Sequence, residues 1–400
     1  MSLSQLLSQL PPAIVENAGN NRTLEILIGK AFAEAEETCT APYVLSFANK
    51  IPNIGISFHD LIKILSGVAC VFNCACCIYL ITGHILCWVK PAEQRQIIRI
   101  ILFNVVFSIA SFFGIFFYAA SDYIHPLAVC YEGLAMTALF LLYVNLVCPD
   151  ELDRAQYFTS LERKWINGKV KKGSSGSLRW FRMIWILVFQ VTFTRILCTI
   201  AQEVLFSNTC PLSELRAHVS IAIQVIQGIS TGIAVYAIII FERRMHSRLE
   251  SHGHRPALKL VSFKLVVGLE AAQDILFAAL GQSGAYFPTA PYRVSWVDFS
   301  TGIPLLILVF EMTIVSVAFM WAYSFEEYRR MVLRGDKVLV PSWRAFFGAF
   351  VSADLWRGVG YMFTCFTNST YHEGHVDGRV VEIMPSVDRK IVDCDEERRL

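Results

Sequence analysis

The 400-residue chain is 54% hydrophobic and 17% charged, against roughly 25% charged residues in an ordinary soluble domain. This balance excludes an ordinary soluble globular protein and indicates an integral membrane protein. The formal net charge of +2 is too small to favour a nucleic-acid partner, so the positions of the charges carry more information than their sum.

Residues 1–56 are predicted to form a lumenal or extracellular N-terminal segment. They contain no basic stretch followed by an apolar one, so they do not resemble a cleaved signal peptide. Asn21 begins an Asn-Arg-Thr sequon, which makes it a candidate glycosylation site on that side of the membrane.

Long apolar stretches dominate residues 57–326. A helix needs about 20 mainly apolar residues to cross the hydrocarbon core. Seven stretches satisfy this, at residues 61–87, 98–119, 124–147, 183–206, 218–241, 260–281 and 301–325. The sequence therefore predicts an all-α, polytopic bundle of seven transmembrane helices. The longest internal connection is residues 149–182, and its core at residues 169–177 is predicted to be a solvated, flexible loop.

The basic residues predict the orientation of this bundle. Lys and Arg concentrate in the first, third and fifth connections and after the last span, whereas the second connection has none. Because cytosolic loops carry the excess of Lys and Arg, we expect a lumenal or extracellular N-terminus and a cytosolic C-terminus.

The C-terminal region divides into two parts. Residues 327–366 are predicted to form a cytosolic juxtamembrane region, in which apolar residues from 341 onward recur at helical spacing with polar residues between them. This pattern favours an amphipathic helix on the cytosolic leaflet; the alternative is that the apolar stripe packs on the bundle. Residues 367–400 are polar and are predicted to be a disordered tail.

Ionisable residues inside spans are the first candidates for function, because each costs on the order of 2.5–3.5 kcal/mol on insertion scales. We expect a substrate pathway through the bundle, in which Arg195 of span four is the natural contact for an anionic solute. The alternative is a buried ion-pair network between spans four, six and seven, with Arg195 paired to Glu270 or Glu311. Glu132 and Lys264 are secondary, since they lie nearer the ends of their spans. The predicted pathway comprises Arg195, Glu270, Gln273, Asp274 and Glu311.

The cysteines suggest two kinds of modification. Cys74, Cys76, Cys77 and Cys87 lie in the cytosolic half of span one and are candidates for S-palmitoylation, with burial as the alternative. Cys39 and Cys210 are both assigned to the lumenal side, so a disulfide between them is a further candidate, with Cys130 as a competing partner.

Common catalytic signatures are missing from the sequence. It has no phosphate-binding Gly-rich loop, no HExxH and no GxSxG, and no His or Cys residues at metal-site spacing. We therefore predict neither an enzyme nor a bound metal or cofactor. The motifs of rhodopsin-like receptors are also missing, which leaves a receptor of another type as a minor alternative.

One motif carries a resemblance to a known family. The segment Lys90-Pro91-Ala92-Glu93-Gln94-Arg95-Gln96-Ile97-Ile98-Arg99-Ile100 resembles the first cytosolic loop of the organic solute transporter alpha subunit and its transmembrane protein 184 relatives. Further matches follow in family order over residues 57–330: Cys130-Tyr131-Glu132, Arg195, Lys264 with Gln273, Phe310-Glu311-Met312 and Ala322-Tyr323-Ser324-Phe325-Glu326-Glu327-Tyr328. The chain departs from the family at residues 104–107, where the usual proline of span two is missing.

The resemblance implies bidirectional, facilitated movement of steroid-like or other organic anions. It also implies a single-pass beta subunit as partner; a homo-oligomer is the alternative. A plasma-membrane or a vacuolar/endosomal location fits the family. The rival hypothesis is a membrane scaffold that recruits autophagy-type cytosolic partners through its tail, on the strength of Asp354 followed by Trp356-Arg357-Gly358-Val359.

Overall fold

A computed structural model describes most of the predicted membrane domain. The described residues are 55–151, 153–164, 170–210, 214–251, 268–269, 273, 276–277, 297–335, 342–350, 353–367, 375–376 and 379–380. The predictions made for Asn21, Cys39, Lys264, Glu270 and Asp274 therefore lie outside the described residues.

Within the described residues, six helices are long and apolar enough to cross a membrane. They match six of the seven predicted spans, so the predicted helical, multi-pass architecture is confirmed at that level. Their bounds are α1 Phe58–Leu86, α2 Pro91–Phe116, α3 Tyr118–Val147, α5 Leu178–Asn208, α6 Glu214–Ser251, and a π-helix Asp298–Gly302 that continues into α7 Ile303–Ala322.

Contacts at the helix ends give the relative directions of the helices. Asp298, which begins the π-helix, is hydrogen-bonded to Tyr118 at the start of α3 and lies 3.3 Å from the His59 ring at the start of α1. Arg216, at the start of α6, donates to Asp122 near the start of α3. Helices α1, α3, α6 and α7 therefore all begin at the same face of the bundle.

Helices α6 and α7 run parallel, since both begin at one face of the bundle and end at the other. This course is compatible with the predicted span at residues 260–281, which lies almost entirely outside the described residues. The seventh crossing and the orientation of the termini remain predictions.

The six helices pack as two groups of three. Helices α1, α2 and α7 contact one another, as do α3, α5 and α6, and an extensive interface between α2 and α3 joins the two groups. We call these the α1/α2/α7 triplet and the α3/α5/α6 triplet. The core of the second is aromatic, with buried rings from all three helices: Phe140, Phe181, Phe189 and Phe241.

The connection at residues 149–182 is more ordered than predicted. It contains a short helix, α4 Arg154–Ser160, and an antiparallel hairpin of β1 Glu162–Lys164 and β2 Val170–Ser175. Phe158 of α4 is fully buried and stacks on Phe181 with ring centroids 3.9 Å apart. Phe158 precedes the predicted loop core at residues 169–177, and that core contains β2 of the hairpin.

The C-terminal region after α7 forms three helices rather than one: α8 Glu326–Leu333, α9 Ser342–Phe350 and α10 Ala353–Thr367, followed by a two-residue pairing of β3 His375–Val376 with β4 Arg379–Val380. The alanines of α9 pack against Trp88 and Ile98, and α10 lies on α5 and α3. The apolar stripe thus packs on the bundle, the alternative considered from sequence. Its aromatic residues Trp343, Phe346, Phe347 and Phe350 remain exposed, so location at the leaflet surface stays a prediction.

Candidate functional site

A buried charged pair joins the middle of α3 to the middle of α5. Arg195 Nη2 donates to Glu132 Oε2, and it also donates to Thr231 Oγ1 of α6 at 2.9 Å. Glu132 is 2% exposed and Arg195 is 7% exposed. Three helices therefore meet at a buried ion pair, because Arg195 of α5 contacts both Glu132 of α3 and Thr231 of α6.

The close approach of α3 to α5 depends on a glycine. A Cβ at Gly133 would lie 3.0 Å from Arg195 Cγ and 3.3 Å from Thr192 Cα. The space allows Thr192 Oγ1 to donate to Gly133 O at 3.0 Å. Small residues and hydroxyl groups at helix contacts are typical of membrane bundles. At this position they bring the arginine stem against the helix that carries Glu132.

Three buried polar atoms on α5 and α6 have no hydrogen-bond partner: Arg195 Nε, Gln227 Nε2 and Glu203 Oε1. Gln227 precedes Thr231, a contact of Arg195, by four residues, so these two side chains lie on one face of α6. Glu203 lies about two turns beyond Arg195 on α5. Because a buried polar atom without a partner costs free energy, Arg195 Nε and Gln227 Nε2 are candidate contacts for a ligand.

The predicted pathway residues are not all in one place. Arg195 belongs to the α3/α5/α6 triplet, whereas Glu311 lies on α7, where its Oε2 has no hydrogen-bond partner. Gln273 Nε2 donates to Pro304 O at 2.6 Å, and its Oε1 has no partner. Among the described residues, the partner of Arg195 is therefore Glu132 and not Glu311.

Sequence reasoning underestimated Glu132. It placed this residue near the end of a span beginning at residue 124, where the side chain would reach water. In the structure α3 begins at Tyr118, so Glu132 lies in the middle of the helix and is buried. Asp122 lies before the predicted start at residue 124, but in the structure it belongs to α3 and is paired with Arg216 2.5 Å away.

The predicted cysteine sites differ in accessibility. Cys77 is fully buried and donates to Asn73 Oδ1 at 3.5 Å, whereas Cys74, Cys76 and Cys87 are partly exposed. Burial raises the pKa of the Cys87 thiol. Palmitoylation stays a prediction for the three partly exposed cysteines, and the packing of Cys77 fits the alternative of a buried thiol.

The predicted disulfide between Cys39 and Cys210 stays a prediction, because Cys39 lies outside the described residues. Cys210 is disulfide-bonded, whereas Cys130, the competing partner, is a free thiol.

A neutral polar cluster occupies the interior of the α1/α2/α7 triplet. Asn104 Nδ2 donates to Asn73 Oδ1 and to Met312 O, both at 3.0 Å. Asn73 Nδ2 in turn donates to Asn104 O at 3.2 Å. These amides tie α1, α2 and α7 together at the position where the resemblance led us to expect a proline.

The motif that carried the resemblance has a structural role at the predicted cytosolic end. Gln94 Oε1 accepts from the backbone N–H groups of Val89 and Lys90, and its Nε2 donates to Cys87 O at 2.7 Å. Gln94 thereby fixes the tight connection between α1 and α2. This use of a buried amide was not predicted from the sequence.

The same motif also holds the C-terminal helix α10. Arg99 donates through both Nη atoms to the two oxygens of Asp354, at 2.8 and 2.7 Å, and Gln96 Nε2 donates to Asp354 Oδ2 at 2.5 Å. Farther along α10, Gly358 O accepts from Trp185 Nε1 at 2.9 Å. The side chains of the motif thus connect α2 to a helix that follows all the described spans.

Comparison with known proteins identifies a family that covers the described spans and the motif at residues 90–100. The family described as Organic solute transporter Ostalpha matches residues 62–328, more than half of the chain. A transmembrane protein 184 homolog of Dictyostelium discoideum is 23% identical over 279 residues, which cover 63% of this chain and 50% of that protein. The chain spans about half the length of this curated relative, and no solved structure matches it. The family is one of membrane solute transporters rather than enzymes, and this chain belongs to the organic solute transporter alpha family.

Proposed function

We propose that the protein is a facilitative transporter, or a transporter subunit, for amphipathic organic anions, with Arg195 as the contact for the anionic group. The observation that carries this proposal is the burial of Arg195 between three helices with its Nε unpartnered. A guanidinium presents its N–H donors in a planar fork that matches carboxylate and sulfate groups.

The contact with Glu132 supports this role. A buried carboxylate held on a guanidinium occupies the position that the charged group of a substrate would take. Exchange of one anion for another at Arg195 therefore needs no new cationic site. Gln227 Nε2 adds an unused donor on α6, one turn from Thr231, which Arg195 contacts.

The remaining predicted pathway residues are proposed as secondary polar positions. Glu311 and Gln273 each have one oxygen without a hydrogen-bond partner, so each retains capacity to bind a hydroxyl group of an amphipathic solute. Glu270 and Asp274 are proposed for the same route on their i, i+4 spacing.

Tracer exchange in proteoliposomes tests the proposal. Purified protein, with and without single-pass partners from the same cell, is supplied with a radiolabelled steroid sulfate at equal pH on both sides. Wild-type vesicles should exchange the label faster than empty vesicles. Arg195→Lys keeps the charge but loses the fork, so we expect exchange to fall by about tenfold or more.

A matched substitution controls for the loss of any arginine. Arg329 pairs with Glu326 at 3.1 Å on the exposed surface of α8, so Arg329→Lys should leave exchange at the wild-type rate. Wild-type exchange in a well-folded Arg195→Ala protein would remove Arg195 from the mechanism. Exchange no faster than in empty vesicles, with every partner tried, would refute the transport proposal.

The scaffold alternative has less support from the contacts of α10. The motif beginning at Trp356 is helical, and Gly358 O and Val359 both face the bundle. Asp354, its neighbouring acid, is held by Arg99. A partner that binds an extended peptide would first have to remove α10 from α5. Deletion of residues 341–400 separates the two functions, since a transporter that still folds should retain exchange.

A further inference from the structure

We infer that the contact between α2 and α10 is a binding site for an anionic phospholipid, whose headgroup phosphomonoester lies between Arg95 and Arg357. The site is on the predicted cytosolic side and includes part of the motif at residues 90–100. It uses none of the residues proposed for the anion pathway, so this inference does not rest on the transport proposal.

Three arginines converge where α10 meets α2. Arg99 donates through both Nη atoms to Asp354, and Arg95 Nη1 lies 4.0 Å from the same carboxylate, beyond hydrogen-bond distance. Arg357 follows Asp354 by three residues on α10, so it lies on the same side of that helix. It is also within electrostatic reach of Arg95. Three guanidinium groups therefore surround one carboxylate.

The acidic residues nearby leave part of this positive charge uncompensated. In the described part of the chain, the acidic groups within electrostatic reach of Arg95 are Asp354 and Glu151. Glu151 is paired with Arg154 at 3.7 Å, and Asp354 is held by other side chains of α2. Because like charges close together repel each other, an anion between Arg95 and Arg357 is stabilised without breaking an existing ion pair.

Arg95 and Arg357 both have N–H groups to offer. Arg95 Nε donates to Gly348 O of α9 at 2.9 Å, but within the described residues its Nη atoms make no hydrogen bond. Arg357 is exposed and makes none there either. A phosphomonoester carries a charge of about −1.5 to −2 at pH 7 and three acceptor oxygens. It can therefore accept from both guanidinium groups and link α2 to α10.

The surroundings of the arginines favour a lipid over a soluble phosphate. The alanines of α9 pack on Trp88 and Ile98, and Trp356, the neighbour of Arg357, is exposed. The outward side of α9 carries four more exposed aromatic residues: Trp343, Phe346, Phe347 and Phe350. Aromatic side chains of this kind are typical of the membrane interface. Basic pockets beside transmembrane helices on the cytosolic side bind phosphoinositide headgroups, so we assign the site to a phosphatidylinositol phosphate.

Binding of this lipid has a structural consequence for α10. Without it, the contacts of α10 with the bundle include Arg99 with Asp354 and Trp185 with Gly358 O. A phosphate held by Arg95 and Arg357 adds a further link between α2 and α10. Residues 353–367 should therefore open less often when the lipid is bound, and their amide hydrogens should exchange more slowly.

The experiment uses the full chain in detergent and in phosphatidylcholine nanodiscs. Native mass spectrometry of the detergent-solubilised protein, titrated with phosphatidylinositol phosphate, measures the affinity. Hydrogen–deuterium exchange in nanodiscs with and without this lipid measures the docking of α10. We expect saturable binding and slower exchange over residues 353–367. Phosphatidylserine at the same total charge should protect these residues less, and soluble inositol phosphate should not protect them.

Substitutions then assign the binding to the two arginines. Arg357→Gln should fold normally, since the side chain is exposed, and should bind the lipid about tenfold or more weakly. Arg357→Lys keeps the charge but loses the planar fork, so it should restore binding only in part. Arg95→Gln tests the site from α2 and should weaken binding as well. Arg329→Gln removes an arginine from the exposed surface of α8 and should leave the affinity unchanged.

Several results would overturn the site. Equal protection by phosphatidylserine at the same charge would mean attraction to surface charge alone, and equal protection by inositol phosphate would mean a soluble ligand. Wild-type affinity in both Arg357→Gln and Arg95→Gln would remove the site from the α2–α10 contact, and absence of saturable binding would refute it outright. Tracer exchange is measured separately, so none of these results decides the transport proposal.

Discussion

The α3/α5/α6 triplet has a charged pair in its interior, whereas the α1/α2/α7 triplet has a pair of neutral amides. Both clusters join three helices, and both are buried. Neutral amides suffice to hold helices together in a membrane. Replacing a buried ion pair by apolar residues is often neutral or stabilising, so packing alone does not require Arg195 and Glu132.

The comparison separates a structural cluster from a functional candidate. In the Asn73–Asn104 cluster both amide nitrogens donate within the protein, although Asn104 Oδ1 has no partner. In the Arg195–Glu132 cluster the arginine retains an unpartnered Nε, and α6 carries a further unpartnered donor at Gln227 Nε2. The charged cluster therefore has the greater capacity to exchange its internal partner for a ligand.

The largest stability effect should come from breaking the charged pair. Arg195→Ala leaves Glu132 buried without its partner, so we expect the free energy of unfolding to fall by about 3–5 kcal/mol, or Glu132 to become protonated. The double substitution Arg195→Gln with Glu132→Gln removes both charges and should recover most of that loss. Urea or thermal unfolding in detergent of the wild type, Arg195→Gln, Glu132→Gln and the double variant provides the four free energies of a double-mutant cycle.

Additivity would contradict this account of the pair. If the double variant lost the sum of the two single losses, Arg195 and Glu132 would not interact in the folded protein. Arg329→Gln, at the exposed pair with Glu326, is the matched control and should cost about 0–1 kcal/mol.

An intermediate effect is expected at Asp354, which connects α10 to α2. Asp354→Asn removes the charge that accepts from Arg99, so docking of α10 should weaken by about 1.5–3 kcal/mol, the range for hydrogen bonds to charged groups. Faster hydrogen–deuterium exchange over residues 353–367 would show this. Glu326→Gln, which alters an exposed carboxylate on α8, should leave that exchange unchanged.

The pH dependence of α10 docking follows from the same residue. Burial by itself raises the pKa of Asp354, but hydrogen bonds from Arg99 and Gln96 and the nearby positive charges outweigh it and lower the pKa below its usual value. A lowered pKa in the folded state gives stability that is complete above the unfolded pKa of about 3.9 and is lost as the pH falls through the folded pKa. Docking should be constant between about pH 5 and pH 8, and weakening within that range would contradict the assignment.

Sequence reasoning located the helices well because their signal is local. Length and hydropathy decide whether a segment can cross the bilayer, and six predicted spans correspond to observed helices. The ends were less accurate. The fifth predicted span stopped at residue 241, but α6 continues to Ser251, because polar residues of its last turns have partners: Arg244 lies 4.1 Å from the Trp180 ring and donates to Ser177.

The partners of the charges could not be predicted because they depend on which helices are neighbours. Arg195 was expected near Glu270 or Glu311, and the identity of Glu132 as its partner comes from the packing of α3 on α5. The buried Tyr118–Asp298–His59 contacts were also missed, since Asp298 lies before the predicted start of the last span. A charged residue at the boundary of a span is a weak signal of a buried contact, because such residues are as common at helix ends that face water.

The smallest effect is expected in the neutral cluster. Asn104→Ala removes the donations to Asn73 and to Met312 O, but it leaves no unpaired charge. Interhelical hydrogen bonds in membranes contribute about 0.6 kcal/mol on average and about 1.7 kcal/mol at most. We therefore expect the free energy of unfolding to fall by about 1 kcal/mol plus a modest cavity cost, clearly less than for Arg195→Ala, and anion exchange to persist. Unfolding in detergent and tracer exchange on the same preparation measure both quantities. A loss of stability as large as that of Arg195→Ala would contradict the distinction drawn between the charged and the neutral cluster. Abolished exchange in a folded Asn104→Ala protein would mean that the amide cluster belongs to the transport route and that the two triplets share the functional role.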